Sequence, residues 1–198
     1  MNDNFQLLMI FGIIAFILIV IAISYLSAQG RKKAWADLAE RIGVNYEAGG
    51  FFSRPVVSGV YQRHQIKLDS FVRRSGKNST TYTRIVVYLN NAAQFTMSIS
   101  QEGMFSKLGK KLGIQEITTG DDEIDKRYLI KGEPEADVQR MLSSLGMRQR
   151  LLEAPAIDIE IRGMEVYYHR HGFETDPNKL INLLDLMCAF ADASERLS

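Results

Sequence analysis

The sequence is poor in the residues that build covalent or metal-stapled frameworks: among 198 residues there are one cysteine, Cys188, four prolines and one tryptophan. A lone thiol excludes an intrachain disulfide framework and an all-thiolate zinc site within one chain. Charge is also scarce at the start, where Asp3 is the only charged side chain before Arg31. No glycine-rich phosphate loop opens a helix, no serine lies in a nucleophile-elbow pattern, and no acidic stretch has EF-hand spacing. These absences leave an enzyme little to work with, and non-enzymatic action is the expectation. No nucleic-acid reader motif is present, so nucleic acid is not an expected partner. No cofactor or small-molecule substrate is indicated either.

What is present begins with a long hydrophobic run. Residues 5–26, FQLLMIFGIIAFILIVIAISYL, carry no charge over 22 positions. At 1.5 Å per residue such a helix reaches about 33 Å, enough for a hydrocarbon core of about 30 Å. A cleavable signal peptide has a basic leader and a shorter apolar stretch, whereas MNDN has no basic residue. Arg31, Lys32 and Lys33 follow the run. By the positive-inside rule they put the N-terminus outside and the rest of the chain in the cytoplasm, at the inner (plasma) membrane. Gln6 and Ser24 lie near the ends of the run, where headgroups solvate them, so no ion path is read there. Gly12 and Ala15 offer a small-residue face for packing against another helix. The expected organisation is an extracytoplasmic tail at 1–4, a transmembrane helix at 5–26, a basic juxtamembrane segment at 27–33 and one cytoplasmic domain at 34–198, long enough to bury a core.

The net charge of +1 conceals an asymmetry. Residues 31–114 hold 14 Lys or Arg against 5 Asp or Glu, and residues 115–198 hold 10 against 17. A basic half next to the anchor is drawn to anionic headgroups, whereas the acidic half repels nucleic-acid phosphate.

Periodicity gives the domain's elements. Residues 31–42 place Ala34, Trp35, Leu38, Ala39 and Ile42 on one helical face ending at Gly43. Alternating segments at 55–61, 65–72, 82–90 and 94–101 predict an antiparallel meander. A short helix at 104–112, a turn at 118–125, a strand at 126–131 and a helix at 133–152 follow. A hairpin at 156–170 turns on Gly163, and a final helix at 176–196 is capped by Asp176 with Pro177 in its first turn. The class is α+β: about seven mainly antiparallel strands with three to four helices, one of them C-terminal. This order of elements resembles pleckstrin-homology-like domains, in which a bent sheet is closed by a terminal helix.

Three groups of side chains invite a functional reading. His169 and His171, two apart on a strand, share a face but are too few for zinc. Asp121, Asp122, Glu123 and Asp125 form an acidic turn that suits either solvation or acid-base and cation chemistry. Trp35, Arg73, Arg74, Lys77, Lys107, Lys110 and Lys111 are candidate membrane-surface contacts, combining cationic and apolar groups as interfacial elements do.

The helix Trp35-Ala36-Asp37-Leu38-Ala39, paired with the later GDDEIDKRYLIKG at 120–132, resembles a group of uncharacterised bacterial single-pass membrane-anchored proteins. Members carry Gly-Asp, two residues, then aromatic-Asp, and here Ile124 stands where the aromatic is usual. The resemblance implies the anchored architecture and no activity. Together these readings predict a membrane-anchored interaction protein, an accessory subunit of an integral membrane complex. The alternatives are a surface module for anionic lipid or a small ligand, and an enzyme using the acidic turn.

Overall fold

The computed structural model describes residues 3–50, 53–76, 78–101, 116–154 and 157–197. It opens with α1 (Asp3–Ile42), a continuous helix of 40 residues. Gly30 does not break it, so the segment at 27–33 is part of the same rod rather than a linker. Within α1, side chains are described for 9–20, 22–23 and 29–42. Among the described residues no helix is long and apolar enough to cross a membrane. The unbroken described apolar stretch, residues 9–20, would reach only about 18 Å.

Among the described residues eight strands follow: β1 (Asn45–Glu47), β2 (Val56–Tyr61), β3 (His64–Ser75), β4 (Asn78–Tyr88), β5 (Thr96–Gln101), β6 (Tyr128–Glu133), β7 (Asp158–Arg162) and β8 (Glu165–His171). Between and after them come α2 (Asp122–Arg127), α3 (Glu135–Leu142), α4 (Leu145–Glu153) and α5 (Pro177–Glu195). The α+β class with a C-terminal helix is as expected, with one strand more than the periodicity gave.

All strands join one sheet in the order β1-β2-β3-β4-β8-β7-β5-β6, every neighbouring pair antiparallel. The expected meander holds from β2 to β4 and then fails, because β5 does not fold back on β4. Residues after β4 instead cross the end of the β7–β8 hairpin, with Leu89 N donating to Met164 O at 2.9 Å and Ala93 N to Gly163 O at 2.8 Å. This delivers β5 to the far side of that hairpin.

Register explains the core. Val57, Leu68, Ile85, Tyr168, Ile159, Ile99 and Ile130 form one row across the sheet. Ile66, Val87, Val166, Ile161 and Met97 form the next. All these side chains are buried, because strand alternation sends them to one face. Trp35 and Leu38 of α1, Val138 and Leu142 of α3, Leu151 of α4 and the Leu180, Leu184, Met187 and Phe190 stripe of α5 join the same core. The row ends at Gly132 opposite Met97. A Cβ there would meet Thr96 O and lie 2.7 Å from Val138 Cγ2, so a residue without a side chain lets α3 seat on β6.

Two further expectations are corrected. The helix at 133–152 is two helices, because Ser144 turns extended and caps α4 by accepting from Met147 N at 3.3 Å. Residues 122–127, read as turn and strand start, are the helix α2. The helix expected at 104–112 lies outside the described residues.

Candidate functional site

The face of the sheet turned away from the core carries rings and charges. Alternation directs Phe71 of β3, Tyr82 of β4 and Tyr167, His169 and His171 of β8 to this side. Phe71 and Tyr82, paired in register, stack with centroids 5.3 Å apart and planes 15° from parallel. His169 lies 5.7 Å from Tyr82 and 5.5 Å from Tyr167, and His171 meets Tyr82 edge-on at 5.9 Å. Arginines cover the rings: Arg73 lies 5.5 Å above Tyr82, Arg84 5.6 Å from Phe71 and Arg162 5.2 Å from Tyr167. Such contacts add about 0.5–1 kcal/mol each where water has access. Arg84 also donates Nε to Asp69 Oδ1 at 2.7 Å and a second nitrogen to Oδ2, a two-pronged pair on the same face.

A cleft of about 370 Å³ opens at the end of β8, bordered by Tyr82, Asp158, Tyr168, His169, Arg170 and His171. Burial, and next the charge of Glu160, pushes the Asp158 carboxyl up to about 6. Burial, and next Arg73, lowers the His169 imidazole from its ordinary value. Near neutral pH the cleft therefore holds a neutral imidazole whose Nδ1 is buried without a hydrogen-bond partner among the described residues. Rings and a few polar groups suit stacking and hydrogen bonding. The two histidines share a face as their spacing predicts, yet among the described residues no three His, Cys, Asp or Glu side chains gather as metal ligands.

The acidic turn is occupied by its own backbone. Asp121 caps α2, accepting from Glu123 N at 3.1 Å and Ile124 N at 3.4 Å. Asp125 accepts from Thr119 N at 2.8 Å, Thr119 Oγ1 at 2.7 Å and Gly120 N at 3.2 Å. Ile124 between them is fully buried. This gives the Gly-Asp-x-x-Ile-Asp stretch a physical meaning: a cap, a core anchor and a loop clamp in six residues.

Other predicted residues separate by position. Trp35 is fully buried, with Nε1 donating to Glu174 O at 3.0 Å. It is therefore core and not a membrane-surface contact, because its ring packs 6.4 Å from Phe173 beneath the guanidinium of Arg31. Arg31 and Lys32 are half-buried and Lys33 exposed. Arg73 and Arg74 are exposed near the β3–β4 turn. Gly12 and Ala15 lie on the exposed stretch of α1, and a Cβ at Gly12 would touch nothing. Lys77, Lys107, Lys110 and Lys111 fall outside the described residues.

Sequence reasoning missed a latch between the β2–β3 turn and α5. Gln62 and Arg63 adopt left-handed φ of 46° and 73°, a cost for non-glycine residues. The carboxylates of α5 hold them there: Asp185 accepts from Tyr61 Oη at 2.7 Å and Gln62 Nε2 at 2.6 Å, and Asp192 from Arg63 at 2.9 Å. His64, 1% exposed, has Nε2 3.0 Å from Asp192 Oδ1. Asp185 and Asp192, seven apart within the otherwise apolar run 183–193 of α5, were the available signal.

No known family and no curated protein matches the sequence. Among solved structures, the chain is similar to the mycobacterial trehalose monomycolate transport factor A, TtfA. The two share 12% identity over 83% of this chain and 94% of that one, with a TM-score of 0.60. At that identity the likeness establishes a shared α+β fold.

Proposed function

We propose that this chain is a single-pass, membrane-anchored, non-enzymatic accessory protein whose domain docks on the cytoplasmic side of a larger membrane complex. The observation that carries the reading is α1. Eleven large apolar side chains from Met9 to Ile23 are each 46–68% exposed, on every side of the helix. A soluble monomer tolerates apolar patches of roughly 300–600 Å², and a rod coated all round exceeds that. With residues 5–26 uncharged in the sequence and the helix running on into the core at Trp35 and Leu38, one continuous helix serves both the proposed anchor and the domain. The Arg31-Lys32-Lys33 collar favours a cytoplasmic domain. Gly12 and Ala15 supply the helix-packing face toward the complex.

The fold neighbour is by its name a transport factor, which supports an accessory role beside a transport complex. In the acidic turn, Asp121 and Asp125 accept from backbone N–H groups, which supports a structural role for these two carboxylates beside the non-enzymatic reading. The test is crosslinking in membranes at native abundance, followed by purification in mild detergent. Recovery of an integral membrane protein crosslinked through α1 and lost in the Gly12→Leu, Ala15→Leu double variant is the expected result. A chain that resists alkaline extraction but always migrates alone would refute the accessory role, and one released by alkaline extraction would refute the anchor.

A further inference from the structure

From the geometry of the β3–β4 hairpin we infer a second membrane contact: its arginine-bearing end seats on anionic lipid headgroups beside the emerging α1. The inference rests on the anchored reading above and adds a site and a ligand to it.

The direction of α1 relative to the sheet carries the argument. At the C-terminal end of α1, Val44 lies against Gly59, which pairs with Ile66 of β3. Nine residues nearer the N-terminus, Trp35 bonds to Glu174, and four residues beyond it Arg31 covers Phe173. That loop is tied to β4, with Thr83 N and Oγ1 both donating to Gly172 O at 2.9 Å and Glu174 N donating to Thr83 Oγ1 at 3.1 Å. Thr83 pairs with Ser70 of β3. Moving toward the N-terminus of α1 therefore means moving along β3 from Ile66 toward Arg73 and Arg74. The hairpin end and the apolar rod leave the domain on the same side.

The hairpin also projects far enough. Pairing with β2 extends to Leu68 and with β8 to Thr83, so beyond these the strands pair with each other as a ribbon, apart from one bridge from Tyr82 to Gly172. Five residues separate Thr83 from Asn78, about 16 Å of strand. Five residues separate Arg31 from Leu26, about 8 Å of helix. The ribbon thus spans the distance to the end of the apolar run. Its outer part, Arg73, Arg74, Ser75, Gly76, Asn78 and Ser79, is exposed and carries no acidic residue. Anionic headgroups match that charge, whereas the turn at the opposite end of the sheet, around Gly163 and Met164, is flanked by Arg162 and Glu165 and has no excess of positive charge. Two contacts, helix and ribbon, would fix the domain's rotation about the anchor.

The experiment uses the full chain in lipid nanodiscs, with a fluorophore on Ser79→Cys or, as reference, on Met164→Cys, and a quencher attached to lipid headgroups. Incorporation into the disc reads the anchor independently of the ribbon. In discs containing 30% anionic phosphatidylglycerol the label at 79 should be quenched more strongly than in neutral phosphatidylcholine, with 164 unchanged. At about a factor of five per basic residue, Arg73→Glu with Arg74→Glu should shift the seated population by roughly 30-fold or more. Raising salt from 0.05 to 0.5 M should weaken seating in the unmutated ribbon as well. Quenching at 79 that ignores lipid charge and salt in an incorporated chain overturns the proposal. So does quenching that appears only when a partner protein is added.

Discussion

Replacing Asp158 by Asn should make the protein more stable at alkaline pH and leave it unchanged in acid. Folding moves this carboxyl from an ordinary 3.8 to about 6, chiefly by burial at the edge of the cleft and next by Glu160. The folded state therefore favours the protonated form. Its contribution is fully present below about pH 4, and is lost as pH rises through about 6, where the folded-state carboxyl ionises. A shift of about two units corresponds to ~3 kcal/mol as an upper bound, and solvent access at the cleft reduces it to ~1–2 kcal/mol. An amide cannot ionise and avoids that loss. His169, lowered by burial and Arg73, acts in the opposite sense, losing stability as pH falls, but it is present in both proteins and cancels in the comparison. The assay is thermal unfolding of the full chain in mild detergent from pH 4 to 8, followed by fluorescence of the single tryptophan, Trp35, fully buried in the folded domain. Melting temperatures should coincide near pH 4 and diverge to roughly 2–8 °C in favour of the variant at pH 8. Parallel curves across the range, or a less stable variant at pH 8, would refute the burial argument.

Other substitutions probe the packing. Trp35→Ala should cost about 3–5 kcal/mol, read as a lowered urea midpoint by circular dichroism, because it empties a fully buried site and frees Glu174 O. An effect below 1 kcal/mol would mean the ring is not core. Gly132→Ala should cost about 1–3 kcal/mol in the same assay, since the methyl group meets the Thr96 carbonyl and Val138. Asp121→Ala should lower stability by about 1 kcal/mol through loss of the α2 cap, and divalent cations should not alter the melting of the parent protein. A metal-dependent melt lost in this variant would restore the acidic turn as a binding site.

Local signals in the sequence carried much of the fold. Two-residue alternation located β2 through β8 to within a few residues, and the Asp176-Pro177 start and apolar stripe of α5 were legible because capping and helical periodicity are written in adjacent residues. What escaped was non-local. The insertion of the β7–β8 hairpin between β4 and β5 depends on register between segments some seventy residues apart, for which the alternation of each strand alone carries no information. The two-helix form of 133–152 turned on Ser144 serving as a cap rather than a helix-interior residue. Of the candidate site, the shared face of His169 and His171 followed from their spacing. The ring cluster did not, because Phe71, Tyr82 and Tyr167 come from three strands whose neighbours are known only once the sheet is assembled. Trp35 had two plausible environments from its helical face alone, and the loop holding Phe173 and Glu174 decided between them.

The proposed anchor requires that α1 cross the bilayer and hold the domain on the cytoplasmic side. Its most direct test is cysteine labelling with a membrane-impermeant maleimide, comparing Asn4→Cys with Ser79→Cys in intact cells whose outer barrier has been made permeable. Labelling is expected at position 4 in intact cells and at position 79 only after lysis, with Cys188 silent in both because it is buried. Labelling at 79 in intact cells, or equal labelling of both positions only after lysis, would contradict it.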